Sequence, residues 1–162
     1  MSTGLPKTNY YLLEIEYDKE ITEIRKGANG LPSEPGAIRK TVIFSDSTKL
    51  SCQEFIKDGF IDFYNYDYYD ANGNIVMKFH SEPHVQEEAR TETEPFHLHV
   101  RTDIHDLKAS KRIPFPSEPF KQKDLLSFIE FILMSRYLWY AHAPTSSIPT
   151  SEKEKRERRK RK

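Results

Sequence analysis

Residues 60–69 read FIDFYNYDYY, and residues 70–79 continue DANGNIVMKF. Aromatic and branched side chains favour the pleated, half-buried surface of a sheet. Strand geometry throws Phe60, Asp62, Tyr64, Tyr66 and Tyr68 to one face, and Ile61, Phe63, Asn65, Asp67 and Tyr69 to the other. Asn72-Gly73 follows at once, and that pair tolerates the positive φ of a tight hairpin turn. Ile75, Met77 and Phe79 then alternate along a returning strand. An antiparallel hairpin at the centre of the chain is therefore predicted.

The pattern extends in both directions. Upstream, Thr41–Phe44 and Lys49–Ile56 are strand signals joined by the turn Ser45-Asp46-Ser47. Before them a loop over Gly27–Gly36 carries three glycines and two prolines. Asn9–Tyr17 (NYYLLEIEY) is β-rich and alternates from Leu13, so a first hairpin with Ile21–Arg25 is expected. Downstream, residues 81–95 are Glu-rich and aperiodic, a loop. Phe96–Arg101 (FHLHVR) alternates as a strand, and Ile113 and Phe115 suggest one more short strand. Ser117 and Pro119 then open a helix over about 119–140, with Leu125, Phe128, Ile129, Ile132, Met134 and Leu138 in its apolar stripe. The predicted fold class is α+β: an antiparallel β-sheet with one C-terminal helix packed on it. Residues 1–143 form a single domain in this scheme, and 144–162 a disordered basic tail.

Composition narrows the function classes. The 162 residues carry no net charge, a mean hydropathy of -0.75, 12% aromatics and one cysteine, Cys52. A lone cysteine excludes an internal disulfide and thiolate zinc clusters. The N-terminus lacks a signal-peptide pattern, and the longest apolar run, 125–141, is interrupted by Glu130 and Arg136. A soluble cytoplasmic chain without a membrane partner is expected. Residues 153–162 (KEKRERRKRK) hold eight bases and two acids, which leaves the body net acidic. Such a run binds nucleic acid through its charge, or solvates a terminus. Phosphate-loop, dinucleotide, serine-hydrolase and zinc-protease motifs are all absent, and no cofactor is called for.

Four of the six histidines, His80, His84, His97 and His99, fall within twenty residues. His97 and His99 lie two apart on a predicted strand, so their rings share a face. Such a pair holds a divalent metal, or divides proton transfer between an acid and a base. It is equally an ordinary solvated strand face. His80 and His84 are placed to converge on the same patch. Tyr64, Tyr66 and Tyr68 share a face and can orient a phosphate, or simply pack. Asp46, Glu54, Asp62 and Asp67 lie on or beside strands, and a metal nuclease would need them gathered.

From Ala37 to Val100 the chain resembles the TumE family of bacterial toxins. Ser45–Leu50 leads to Glu54 and Phe55, followed by Tyr64-Asn65-Tyr66-Asp67 in a tyrosine strand. His80-Ser81-Glu82-Pro83-His84 stands where the family has D-N-A-P-H, and Pro95-Phe96-His97-Leu98-His99 where it has P-H-H-K-H. The family's Asp-Asn is thus His80-Ser81, its second loop histidine is Val85, and one later histidine is Phe96.

The resemblance implies a growth-inhibiting toxin neutralised by a cognate helix-turn-helix antitoxin. It does not supply the target. The residues point to RNA, cleaved without metal by His84, His97 and His99 as acid and base, with Tyr66 orienting the phosphate. A non-catalytic binding module for protein or nucleic acid, and a metal-binding domain, are the alternatives.

Overall fold

The computed structural model describes residues 2–83, 85–103, 106, 109–115 and 123–142. The expected basic tail and the Ser117 helix cap lie outside them. The elements are β1 (Leu5–Pro6), α1 (Tyr10–Glu16), β2 (Ile21–Lys26), β3 (Ala37–Phe44), β4 (Lys49–Lys57), β5 (Phe60–Tyr69), β6 (Ile75–His80), β7 (His97–Arg101), β8 (Ser110–Pro114) and α2 (Leu125–His142). One turn of 3₁₀ helix, Glu87–Ala89, interrupts the loop before β7. The strands form one antiparallel sheet in the order β2-β3-β4-β5-β6-β7-β8, so β2 and β8 are its end strands among the described residues. β1 pairs with the first residues of β5, beyond the reach of β6. The chain is α+β, as its patterns predict.

The central position of β5 follows from its composition. Tyr64, Tyr66 and Tyr68 are buried on one face, opposite Glu54, Cys52 and Leu50 of β4 and beside Phe79 of β6. Strict alternation fails at the start of β5. The register runs Phe55↔Phe63 and then Ile56↔Ile61, passing over Asp62. That bulge turns Ile61 inward and leaves Phe60 half exposed.

Residues 9–17 correct the sequence expectation. Tyr10–Glu16 is a helix, not a strand. The Asn9 side chain accepts the Leu12 N–H at 3.2 Å, and the Tyr17 N–H returns to the Leu13 carbonyl at 3.1 Å. These capping bonds outweigh an alternation only five residues long. β2 consequently pairs with β3 and not with residues 9–17.

Packing divides the chain into two compact units at Phe128, residues 1–128 and those from 129 onward. In the first, Phe128 on the opening turn of α2 is fully buried. It stacks on Phe79 at 4.3 Å and on Phe115 at 5.4 Å, and meets the edges of Tyr64 and Tyr66. Asp124 starts α2 by accepting the Ser127 N–H and hydroxyl at 2.9 and 2.7 Å. Tyr64 donates to the Lys123 carbonyl at 2.9 Å.

The same face buries a carboxylate. Glu54 is fully buried, and its oxygens accept from the Tyr66 hydroxyl at 2.9 Å, the Tyr10 hydroxyl at 3.2 Å, the Thr8 N–H at 3.3 Å and the Thr8 hydroxyl. Four donors replace the water that the group gives up. They also tie the N-terminal segment and α1 to the sheet. Tyr66→Phe removes one donor at constant shape and should lower the unfolding free energy by about 1–2 kcal/mol, read from urea denaturation.

Candidate functional site: an imidazole cluster on the polar sheet face

The opposite face of the sheet is polar. β6 and β7 pair antiparallel with His80 across from His97 and Lys78 across from His99. Directly opposed residues project to the same side, as do residues two apart. The register therefore gathers three imidazoles. Ring centroids are 5.7 Å apart for His80–His97, 5.1 Å for His80–His99 and 5.1 Å for His97–His99. One nitrogen from each lies within 4.8 Å of the others.

Each ring has its own surroundings. His97 is fully buried, with Nδ1 3.2 Å from the Pro95 carbonyl. His80 is partly exposed, and its Nε2 lies 3.2 Å from Asp67 Oδ1. His99 is half-buried. Burial, with the charges of His80, His97, Arg112 and Lys78 adding to it, pushes its pKa down to about 4. Protonation of one ring disfavours protonation of the next. His99 is thus a neutral imidazole near neutral pH, with a lone pair to give to a proton or a metal. A shallow groove of about 290 Å³ beside it is lined by Lys78, Arg101 and Ser110 among others.

The structure brings together His97 and His99 as their spacing predicts, and His80 converges on them as expected. His84 lies outside the described residues. Tyr66 does not join them: it sits on the other face, fully buried and bonded to Glu54, where burial holds its hydroxyl proton well above the usual phenol range. Its role here is packing and support of the carboxylate. The patch they form is only partly open to solvent, since His97 is covered.

Nor do the carboxylates gather. Asp46 caps its turn through Thr48, Glu54 faces the core, and only Asp67 reaches the imidazoles. Asp67, one of the four strand carboxylates singled out from the sequence, stands beside His80 through the β5–β6 register rather than in a cluster of acids. Ser81, beside His80, is structural: it is buried, and its backbone and hydroxyl both bond the Tyr64 main chain.

The arrangement supports two kinds of chemistry. His80 and His99 can exchange protons with one bound group. Alternatively, His80, His97 and His99 can ligate a divalent metal ion, with Asp67 and the Pro95 carbonyl each contacting one ring nitrogen of His80 and His97.

A family model described as Toxin TumE matches residues 14–133, from within α1 through β8 into α2. No curated protein and no solved structure matches the chain. Among the described residues, no helix is long and apolar enough to cross a membrane.

The depressed pKa of His99 has a thermodynamic counterpart. The unfolded chain takes up this proton near pH 6.5, the folded chain only near pH 4. Stability from this group is complete above pH 6.5 and is lost as the pH falls through that window. His99→Gln should flatten the pH dependence of the denaturation midpoint between those values, relative to the parent chain.

Proposed function

The chain belongs to the TumE toxin family, and on that premise we propose that it arrests growth by cleaving RNA, with His99 as general base and His80 as general acid. Toxins of such pairs are held in check by an antitoxin, and the partner proposed here is a helix-turn-helix protein in the same cytoplasm. The observation that carries the proposal is the pairing of two partly exposed imidazoles 5.1 Å apart, one of them neutral near pH 7.

Neutral His99 removes the proton from a ribose 2′-OH. The 2′ oxygen attacks the adjacent phosphorus, and the bond to the departing 5′ oxygen breaks. His80, as the acid, gives a ring proton to that oxygen. The products are a 2′,3′-cyclic phosphate and a free 5′-OH. Asp67 fixes the orientation of His80 through its 3.2 Å contact. His97, buried beneath both, holds their spacing through packing. Lys78 and Arg112 flank His99 in the register and offer positive charge to the phosphorane.

A metal-dependent version is the second reading. It is favoured by the three converging nitrogens together with the Asp67 contact of His80 and the Pro95 contact of His97. There the imidazoles would be ligands, and the ion would activate water or polarise the phosphate. Metal content of the purified chain and activity after chelation separate the two.

Expression of the chain without its antitoxin should stop growth, and the purified protein should cut single-stranded RNA in EDTA. His99→Gln should reduce the cleavage rate by about 10²–10⁴-fold with the fold retained by circular dichroism. Tyr66→Phe should leave the rate nearly unchanged. A folded His99→Gln chain that remains fully toxic would move the function from catalysis to binding.

A further inference from the structure

A second groove lies away from the histidines. It measures about 780 Å³ and lies between the loop of residues 27–33 and the β2–β3–β4 end of the sheet. Arg25, Lys26, Lys40 and Lys49 line it, and none of its described lining residues is an acid. Arg25 does pair with Glu23 at 2.9 Å, but both are well exposed, and such pairs exchange partners at little cost.

The wall of the groove is built rather than loose. Thr41 donates to the Gly27 carbonyl at 2.8 Å, and Ala28 and Leu31 exchange backbone bonds of 3.0 and 2.9 Å. Arg39 donates to the Pro32 carbonyl and to Glu34, both at 2.8 Å, and Tyr69 reaches Asn29 at 3.3 Å. Gly27 has a φ of +85°, and a Cβ there would meet the Leu31 carbonyl oxygen at 2.9 Å. Only glycine permits so close a turn.

The sheet register connects this groove to the imidazoles. Arg25, Thr41, Ser51, Asp67, Lys78 and His99 are directly opposed in succession from β2 to β7. They form one row on one face, running across the strands. Thr41, in the groove wall, is four strand spacings from His99, roughly 19 Å at about 4.8 Å per spacing. Ser51 and Asp67 are nearly buried, so the charge along the way comes from Arg25, Lys49 and Lys78.

We infer that the groove seats the phosphate backbone of a single-stranded RNA, which crosses the strands along this row so that a phosphodiester several nucleotides away reaches His80 and His99. The inference rests on RNA as the substrate and assigns its path. Recognition by backbone charge makes the seat indifferent to base sequence. Four bases and no acid among the groove's lining residues favour RNA over a protein segment of mixed charge, and the row gives it a direction. An acidic stretch of the antitoxin is the competing occupant.

Binding tests this without requiring cleavage. The full-length His99→Gln chain is titrated with a fluorescein-labelled single-stranded RNA of about ten nucleotides, and affinity is followed against salt by anisotropy. Adding Arg25→Ala and Lys49→Ala should weaken binding by about tenfold and make the plot of log affinity against log salt shallower by about 1.4, since each phosphate contact on a single strand contributes about 0.7. Lys49→Arg should bind as the parent does. The basic residues 153–162 are common to all these chains, so their contribution cancels in the difference.

An unchanged slope in folded variants overturns the assignment. So does mononucleotide binding as tight as that of the oligomer, which would make the groove a small-ligand pocket. Loss of antitoxin binding with RNA binding intact would make it a protein interface and likewise overturn it. RNA that binds with the expected slope change but is not cut by the parent chain would remove the cleavage mechanism and leave the groove standing. Cleavage that proceeds with an unchanged slope would do the reverse.

Discussion

Cross-strand register is the constraint on which the rest of this structure depends. With a side-chain period of two, one face of β5, β6 and β7 collects Tyr64, Tyr66, Phe79 and Leu98, and the other collects Asp67, His80, His97 and His99. A slip of one residue between β6 and β7 would send His97 and His99 into the aromatic core and Leu98 into solvent. Burial of Phe79, Leu98 and Phe128 on the inner face therefore holds the imidazoles together on the outer one. Each fully buried aromatic or leucine contributes about 1.5–3 kcal/mol, so the core has ample means to keep that alignment.

Much of this architecture was legible in the sequence, because the period of two and the turn residues speak at the same places. FIDFYNYDYY followed by Asn72-Gly73 marked β5, its turn and β6. The helix at 10–16 was not legible, since Leu13, Ile15 and Tyr17 satisfy a short alternation as well as they satisfy a helical turn. What decided it was the Asn9 cap and the burial of Leu13. The bulge at Asp62 was equally hidden, because a single inserted residue leaves composition unchanged.

The site was readable in part for the same reason. Spacing alone shows that His97 and His99 share a face. It does not show which face is inner, and so it could not separate Tyr66 from them. That separation came from Glu54, whose buried carboxylate claims the Tyr66 hydroxyl on the core side. Asp67 needed the β5–β6 register, which no local pattern carries. His80 is the third member of the cluster, and a carboxylate lies beside it, supplied by Asp67 from the neighbouring strand.

The two end strands among the described residues have a consequence for how such a chain survives at high concentration. An unpaired strand edge is a template on which another copy can add, and the usual protections are charge and proline. β8 carries Lys111, Arg112 and Pro114, while β2 carries Arg25 and Lys26 near its end. Pairing β8 with a second β8 would bring bases against bases in the growing sheet, and Pro114 removes a donor at its end. Growth of copies edge to edge into fibres from β8 is opposed by the sequence of that strand itself.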